Sequence, residues 1–251
     1  MTTTQQPPGR LQYGDGHFTT LRVQAGEPCN WPAHRARLQE ACARLAMPSP
    51  DWPTLEQAVA EKAQQQQQGG LKVLLWRGTA GRGYRPAKTA TLCMHVTAFA
   101  EPEHYQQWRR AGITLEPSPI ALGHNPLLAG LKHCNRLEQV LAADALSADE
   151  AAVCDFQGHL VSAVSGNLFW VKAGQLFTPS LQWCGVHGTL RAWILAHADV
   201  QRVNAGIEVL DDADEIFITN ALLGVVSVAR YRQRQFGETV MADELRRALP
   251  W

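Results

Sequence analysis

The sequence predicts an α+β protein of two domains, and three observations support this fold class. Helix-like and strand-like segments are mixed along the 251 residues without the strict alternation of a doubly wound sheet. Apolar residues make up 45% of the chain and charged residues 18%, which is typical of a globular protein with a core. Proline and glycine in residues 112–126 predict an interdomain segment between a smaller N-terminal domain, residues 1–111, and a larger C-terminal domain, residues 127–251.

The N-terminal domain is predicted to combine helices with buried strands. Pro32 and Pro53 each suit the first turn of a helix, and apolar residues follow both at helical spacing. The glutamine run that ends in Gly69 and Gly70 is predicted to be a solvated helix end and a loop. Apolar runs predict strands at 71–76 and 89–98, and a further helix is predicted at 103–111.

The C-terminal domain is predicted to contain more strands than helices. A helix is expected after Lys132, with two more near 189–198 and 242–249. Short apolar segments predict strands at 151–155, 160–164, 168–171, 175–178, 207–209 and 215–219.

Charge and cysteine spacing argue against several classes of protein. The 23 basic residues balance the 23 acidic ones, so neither a nucleic-acid partner nor a basic partner is expected. No apolar run approaches the roughly 20 residues of a membrane span, and the polar N-terminus does not have the pattern of a signal peptide. The six cysteines are scattered without a CxxC pair, which predicts reduced thiols in the cytoplasm and no metal site.

Seven motifs occur in an informative order. They are YGDGHFTTLRV (13–23), HRARL (34–38), RGTAGRGYRP (77–86), LGHNPLLAGLKHCNRLEQVL (122–141), DFQGHLVSAVSGNLFWV (155–171), GVHGTLR (185–191) and DADEIFITNALLGVV (212–226). The series resembles the fold-type IV family of pyridoxal-phosphate enzymes, which includes D-amino-acid and branched-chain aminotransferases, from about residue 11 onward. The strings GLKHCNRLEQVL, RGTAGRGY and ITNAL are closest to its aminodeoxychorismate lyase branch. The resemblance implies a two-domain homodimer that uses pyridoxal 5'-phosphate.

Lys132 is the candidate catalytic residue. An aldehyde cofactor needs a primary amine, and that amine must lose its charge before it can react or move protons. The neighbouring leucines at 127, 128, 131 and 137 are expected to desolvate Lys132 and lower its pKa. The resemblance implies that Lys132 carries the cofactor and shuttles the proton.

The cofactor phosphate is expected to have ligands from two places. Arginine offers a fixed bidentate donor, and the resemblance maps the phosphate-binding arginine of an H-x-x-R pattern to Arg37. GVHGT precedes an apolar helix, so its backbone amides can form an anion site. The resemblance makes this turn the second half of the phosphate site; the residues are Gly185, Val186, Gly188, Thr189 and, through its side-chain amide, Asn220.

The substrate of the lyase branch carries two carboxylates, for which an arginine-bearing loop is suited. Arg77, Arg82 and Tyr84 lie on such a loop, although a solvated hairpin explains each of them equally well. Tyr13 and Thr20, on the segment that contains YGDGHFTT, are expected to line the same pocket.

Two positions depart from the family pattern. Members have a glutamate five residues before the asparagine of the N-L-F string, where it faces the pyridine nitrogen of the cofactor. Counting back from Asn167 gives Ser162, and residues 160–166 contain no carboxylate. The segment before Tyr13 is also shorter and more polar than the family's first strand and turn.

The implied reaction converts 4-amino-4-deoxychorismate to 4-aminobenzoate and pyruvate, a step of folate synthesis. Two alternatives stay open from the sequence. One is an aminotransferase of D- or branched-chain amino acids on the same scaffold. The other is a catalytically impaired relative, because Ser162 replaces the usual glutamate.

Overall fold

The computed structural model describes residues 9–78, 83–87, 89–237 and 239–249. The chain divides into two compact units. The first unit runs to Glu101 and includes Leu131–Asn135, whereas the second comprises Pro102–Gly130 and Arg136–Trp251. Both units mix helices and strands, which confirms the α+β class. The predicted limits of independently folding domains stay a prediction.

The first unit contains a four-stranded antiparallel sheet in the order β2-β1-β3-β4. Its strands are β1 Gly16–Gln24, β2 Glu27–Pro28, β3 Gln68–Arg77 and β4 Leu92–Phe99. Burial alternates along β1 because successive side chains point to opposite faces of the sheet. One face therefore carries His17, Thr19, Leu21 and Val23 into the core, and the other carries Phe18 and Thr20.

Two helices of the first unit, α1 Trp31–Arg44 and α2 Trp52–Gln66, form the core with the sheet. Each has a proline in its first turn, as the sequence predicts. The buried residues of α2 recur every four positions, so one helical stripe faces the strands. Leu38 of α1 and Leu55 of α2 are fully buried against Leu21, Leu71 and neighbouring apolar residues.

Two expectations for this unit are wrong. Gly69 and Gly70 belong to β3 rather than to a loop. Gly69 has a φ of 133°, and a Cβ atom there would lie 2.5 Å from the carbonyl oxygen of Phe99, so glycine permits the close approach of β4. The second expectation was that residues 89–98 form a buried strand. β4 instead starts at Leu92 and is the last strand of its sheet, so its described side chains are half-buried or exposed.

The second unit is built on a mixed sheet in the order β10-β9-β8-β11-β12-β5-β6-β7, with β13 paired to β12. Its strands are β5 Ile113–Pro117, β6 Glu150–Cys154, β7 Leu160–Ala163, β8 Asn167–Lys172, β9 Gln175–Pro179, β10 Val200–Val203, β11 Glu215–Asn220, β12 Gly224–Tyr231 and β13 Arg234–Gln235. β5 is parallel to both of its neighbours, β12 and β6. Most of the remaining pairs are antiparallel.

Four helices accompany this sheet: α3 His104–Ala111, α4 Leu137–Asp144, α5 Thr189–His197 and α6 Val240–Ala248. α5 and α6 share a core with β8 and β11, centred on Phe169 and Phe217, whose rings stack 5.1 Å apart. The Glu215 carboxylate accepts hydrogen bonds from the Met241 and Ala242 amides and so caps the first turn of α6. Among the described residues, none of the helices combines the length and apolarity needed to cross a bilayer.

The pattern of strands near the C-terminus differs from the prediction. Residues 207–209 lie in a 3-10 helix, Ile207–Leu210, of which only Leu210 is buried, and the neighbouring strand is β10. A short apolar segment does not distinguish a strand from a single helical turn. β12 was not predicted because it pairs with strands on both sides and is buried on both faces for most of its length. Such a strand lacks the polar alternation that marks a half-buried one.

Candidate active site

Lys132 lies on a short segment that pairs with β1 in the first unit. The amide of Phe18 donates to the carbonyl of Lys132 at 2.9 Å, and the amide of Cys134 donates to the carbonyl of Gly16 at 2.9 Å. The Nζ atom of Lys132 is 4.9 Å from the centre of the Phe18 ring, within the range of a cation–π contact. Main-chain pairing with β1 therefore fixes the point from which the Lys132 side chain extends.

The environment expected for Lys132 is partly wrong. Two of the leucines expected to form an apolar environment are exposed: Leu127, on a loop, is 83% exposed and Leu137, on α4, is 77% exposed. Leu131 is buried, but the apolar group in contact with the amine is the ring of Phe18. The Nζ atom of Lys72 lies 4.6 Å from the same ring. Two amines therefore contact one aromatic ring.

Arg37 belongs to a small polar group that also contains Thr19 and His34. The Thr19 hydroxyl is 2.6 Å from Nδ1 of His34, and Nη1 of Arg37 donates to the Thr19 oxygen at 3.4 Å. Burial, followed by the positive charges of Arg37 and Lys132, lowers the pKa of His34 to about 3. The neutral imidazole of His34 is therefore close enough to interact electrostatically with Arg37 and Lys132, the two predicted cofactor ligands of this unit.

The residues expected to bind substrate are only partly brought together. Tyr13 and Tyr84 make an edge-to-face contact with ring centres 5.4 Å apart, and both rings are exposed. Arg77 is buried instead, where its Nε lies 3.3 Å from Oδ1 of Asp15 and its Nη2 donates to the carbonyl of Leu45. These contacts hold the Arg77 guanidinium inside the unit.

Thr20 and Arg82 complete the expected substrate set. Thr20 is half-buried, lies on the same face of β1 as Phe18, and is opposite Lys72 of β3. Arg82 lies outside the described residues. The segment that follows is anchored by a residue with no predicted role: Arg10 pairs with Asp15 at 2.7 Å and donates to the carbonyl of Gly83 at 2.9 Å.

The GVHGT turn lies in the second unit and leads into α5, which begins at Thr189. The Gly130 amide donates to the Gly185 carbonyl, and the His187 amide donates to the Gly130 carbonyl, both at 3.0 Å. Gly185 has a φ of 89°, and a Cβ atom there would lie 2.8 Å from the Val161 side chain. The turn therefore requires glycine at position 185. It leads into the N-terminus of α5, which is the positive end of the helix dipole.

Asn167, at the start of β8, holds this turn and had no predicted role. Its side-chain amide nitrogen donates to the carbonyl of Val186 at 2.8 Å, and its oxygen accepts from the amide of Gly188 at 3.0 Å. A Cβ atom at Gly188 would lie 2.0 Å from that oxygen, so a side chain would displace Asn167. In the sequence, Asn167 stands in the N-L-F string, and it was used there only to locate Ser162 five residues earlier.

Asn220 makes different contacts from those expected. Its side-chain oxygen accepts from the amides of Leu222 and Leu223 at 3.0 and 2.7 Å. Its side-chain nitrogen donates to the carbonyl of Ser165 at 3.3 Å. These bonds hold the turn between β11 and β12 and link that turn to residue 165.

Ser162 is half-buried on β7, opposite Val153 of β6. The paired strand β6 begins with Glu150, a buried carboxylate that accepts from the amide and the hydroxyl of Ser165. Burial raises the pKa of Glu150, although these hydrogen bonds act in the opposite direction. The Glu150 carboxylate, which lies on this strand pair, is therefore already hydrogen-bonded to Ser165.

Comparison with known proteins gives concordant results. The profile of the family described as Amino-transferase class IV matches residues 16–231. Aminodeoxychorismate lyase of Vibrio harveyi is 36% identical over 229 residues, which cover 87% of this chain and 84% of that protein. The crystal structure of 4-amino-4-deoxychorismate lyase from Pseudomonas aeruginosa superposes with a TM-score of 0.89 at 33% identity, covering 99% of this chain and 95% of that one.

The fold is also similar to a transaminase. The branched-chain amino acid aminotransferase of Escherichia coli superposes with a TM-score of 0.87, covering 98% of this chain and 88% of that one. Its sequence identity is 21%, so this likeness concerns the fold.

Proposed function

The chain belongs to the amino-transferase class IV family, and on this premise we propose that it is a pyridoxal-phosphate-dependent lyase that forms 4-aminobenzoate and pyruvate from 4-amino-4-deoxychorismate. The observation that carries the proposal is the likeness to two proteins named as this lyase, which match most of the chain at 36% and 33% identity. The aminotransferase likeness, at 21% identity, does not favour the alternative reaction.

The donor set of each unit fits a phosphorylated aldehyde. In the first unit, the primary amine of Lys132 and the guanidinium of Arg37 lie near the same neutral histidine, which supplies no competing positive charge. In the second unit, Gly188 has no room for a side chain and Thr189 begins a helix, which suits a backbone-amide site for phosphate. We assign Arg37, Val186 and Thr189 to the phosphate. Gly185 and Gly188 shape the turn, because the amide of Gly188 already donates to Asn167.

Bound pyridoxal phosphate supplies an electron sink for negative charge at the substrate carbon that bears the amine. Lys132 would hold the cofactor at rest, and its amine would be free to act as a base once the substrate amine is bound there. The Lys132 amine would take the proton from that carbon, and the neighbouring enolpyruvyl oxygen would leave with the electron pair of its C–O bond as the ring becomes aromatic. The enolate released would take up a proton to give pyruvate. The Phe18 ring, 4.9 Å from Nζ, shields one side of this amine from water.

For the substrate carboxylates we assign Arg82 and Tyr84, with Tyr13 and Thr20 as further pocket residues. Tyr84 is 84% exposed and contacts Tyr13, so a ligand can reach both rings. The contacts of Arg77 favour a supporting role, because Asp15 pairs with both Arg77 and Arg10. For Asn220 we propose a similar role, since its amide holds the β11–β12 turn.

The decisive experiment incubates the purified protein and pyridoxal phosphate with 4-amino-4-deoxychorismate. Equimolar 4-aminobenzoate and pyruvate, separated by chromatography and assayed independently, are expected. Formation of pyridoxamine phosphate from D-alanine or branched-chain amino acids without 4-aminobenzoate would identify an aminotransferase. A protein that binds the cofactor and turns over neither substrate would be the impaired relative.

Ser162 is proposed to face the pyridine nitrogen of the cofactor and to leave it unprotonated. A hydroxyl shares a neutral hydrogen bond there, whereas a carboxylate would stabilise the protonated ring. Transamination depends more on that protonated ring than does an elimination driven by aromatisation. Ser162→Glu is therefore expected to increase side formation of pyridoxamine phosphate while changing the lyase rate by less than about tenfold, or about 1.4 kcal/mol of barrier.

The matched control for Ser162 is Ser162→Gln, which has the size of glutamate without its charge. It should leave both rates near those of the unsubstituted protein if charge is what matters. A lyase rate that rises on the order of a hundredfold in Ser162→Glu, about 2.7 kcal/mol, would contradict the assignment and mark Ser162 as a damaged site.

We also propose that the protein is a homodimer and that the outward face of α4 lies in the interface. Leu137, Val140 and Leu141 are spaced as neighbours on one helical stripe, yet all three are exposed. An apolar stripe normally faces a core, and exposed apolar patches of more than a few hundred Å² mark association surfaces. A twofold axis through α4 would bury the stripe against its own copy.

Val140→Lys is expected to convert this dimer to a monomer in size-exclusion chromatography with light scattering, because it places a charge within the apolar stripe. The chain provides a matched control. Val240 on α6 is exposed to nearly the same extent, 57% against 59% for Val140, so Val240→Lys should leave the mass of the particle unchanged. An unchanged mass for Val140→Lys would remove α4 from the interface.

A further inference from the structure

A buried threonine and a buried histidine lie directly behind the proposed phosphate ligand Arg37. Thr19 belongs to the core face of β1, whereas His34 and Arg37 lie one turn apart on α1. The side chains of Thr19 and His34 are 0% and 1% exposed. Polar groups buried to this extent need partners, and the distances of 2.6 Å and 3.4 Å link the three residues in one chain of hydrogen bonds.

The direction of each hydrogen bond follows from the chemistry of the three groups. A guanidinium only donates, so the Thr19 oxygen accepts from Nη1 of Arg37. The Thr19 oxygen can accept a second hydrogen bond or donate its own hydrogen, so the state of the His34 ring decides the direction of the second contact. Because the lowered pKa of His34 keeps the imidazole neutral, we assign Nδ1 as the acceptor of the Thr19 hydroxyl and place the ring proton on Nε2.

Electrostatics agree with this arrangement. The low pKa of His34, about 3, arises from burial and then from the charges of Arg37 and Lys132. A protonated imidazole would donate from Nδ1 and place a third positive charge beside those two. The neutral ring avoids that repulsion and remains an acceptor over the whole range in which the protein would function.

We propose that Thr19 and His34 are positioning residues, in which the His34 ring orients the Thr19 hydroxyl so that its oxygen holds the Arg37 guanidinium in the orientation that binds the cofactor phosphate. The inference rests on the proposed function of Arg37. Neither residue touches the cofactor; each acts through Arg37. If the Arg37 guanidinium is already oriented before the phosphate binds, less side-chain entropy is lost on binding and the affinity is higher.

The test compares ligands with and without a phosphate. The full-length chain, stripped of cofactor by dialysis, is titrated with pyridoxal phosphate, with pyridoxal and with inorganic phosphate as competitor. Thr19→Val removes the hydroxyl at nearly constant shape and is expected to weaken pyridoxal phosphate and inorganic phosphate by about tenfold each. Affinity for pyridoxal should not change. Thr19→Ser keeps the hydroxyl and should restore affinity for both phosphates.

His34 is tested by a similar pair. His34→Asn keeps an acceptor near the position of Nδ1, whereas His34→Leu removes it, so only the second should weaken phosphate binding. In an Arg37→Ala background, Thr19→Val should have no further effect, because the group that it positions is gone. Melting curves followed by circular dichroism establish that each variant is folded.

Four results would overturn the inference. Thr19→Val weakening pyridoxal as much as pyridoxal phosphate would assign it a purely structural role, as would an undiminished effect in the Arg37→Ala background. If Arg37→Ala weakens phosphate binding but Thr19→Val does not, the positioning role alone fails. If Arg37→Ala leaves phosphate binding unchanged, the proposed phosphate site fails and the positioning role fails with it.

Discussion

Lys132→Ala is expected to lower the rate of 4-aminobenzoate formation by about 10²–10⁴-fold or more, because it removes both the attachment point of the cofactor and the proton-transfer group. The fold should persist, since Lys132 is only half-buried and the segment pairs with β1 through its main chain. Initial rates and thermal melting curves measure the two effects separately. A variant with a normal rate would contradict the catalytic assignment.

Covalent labelling locates the reactive amine directly. Borohydride reduction of the cofactor-loaded protein, followed by peptide mass analysis, should place the pyridoxyl group on Lys132. Lys72 is the most informative competitor, because its Nζ lies 4.6 Å from the same Phe18 ring. Label on Lys72, Lys88 or Lys172 would show that another lysine carries the cofactor. The matched variant Lys72→Ala should still be labelled at Lys132.

Arg37→Ala should weaken binding of pyridoxal phosphate by about 2–5 kcal/mol if the charge pair is buried, which is roughly 30- to 4,000-fold in Kd. Fluorescence titration of the cofactor-free protein measures this loss. Part of the effect reflects the phosphate charge left without its partner. The expected loss exceeds that of Thr19→Val, because Thr19 only orients the guanidinium.

The control for Arg37 is an arginine two residues earlier on the same helix. Arg35 also lies on α1, where it pairs with Glu56 at 2.8 Å and stacks over the Trp52 ring. Arg35→Ala should leave cofactor affinity unchanged and reduce stability by at most about 1 kcal/mol, as for other exposed ion pairs. Equal losses of affinity in both variants would point to a general effect on α1 and against a phosphate ligand.

The sequence predicts the elements whose signals are local. α1 and α2 follow from a proline in the first turn and an apolar stripe, and each helix begins one residue before its proline. β12 was not predicted because its burial depends on strands on both of its sides, which a local pattern does not reveal. The predicted loop at Gly69 is a strand for a similar reason: the approach of the Phe99 carbonyl, 30 residues away, requires the glycine there.

The same distinction between local motifs and contacts of distant residues applies to the candidate site. Lys132 and Arg37 were identified because their motifs resemble a known family, and their roles stay proposals. Thr19, His34 and Asn167 had no predicted role, because their hydrogen bonds join residues 15 to 21 positions apart on different elements. The H-x-x-R spacing does place His34 one turn before Arg37, and this was the one signal available for that pair.

The pairing of Phe18 with Lys132 has a consequence for biosynthesis. The two residues are more than a hundred positions apart, yet a main-chain hydrogen bond joins them. At ribosomal rates of about 5–20 residues per second, the lysine is synthesised on the order of ten seconds after β1. The segment that contains Lys132 can therefore pair with β1 at Gly16–Phe18 only after that interval, and cofactor loading on Lys132 follows the synthesis of both segments.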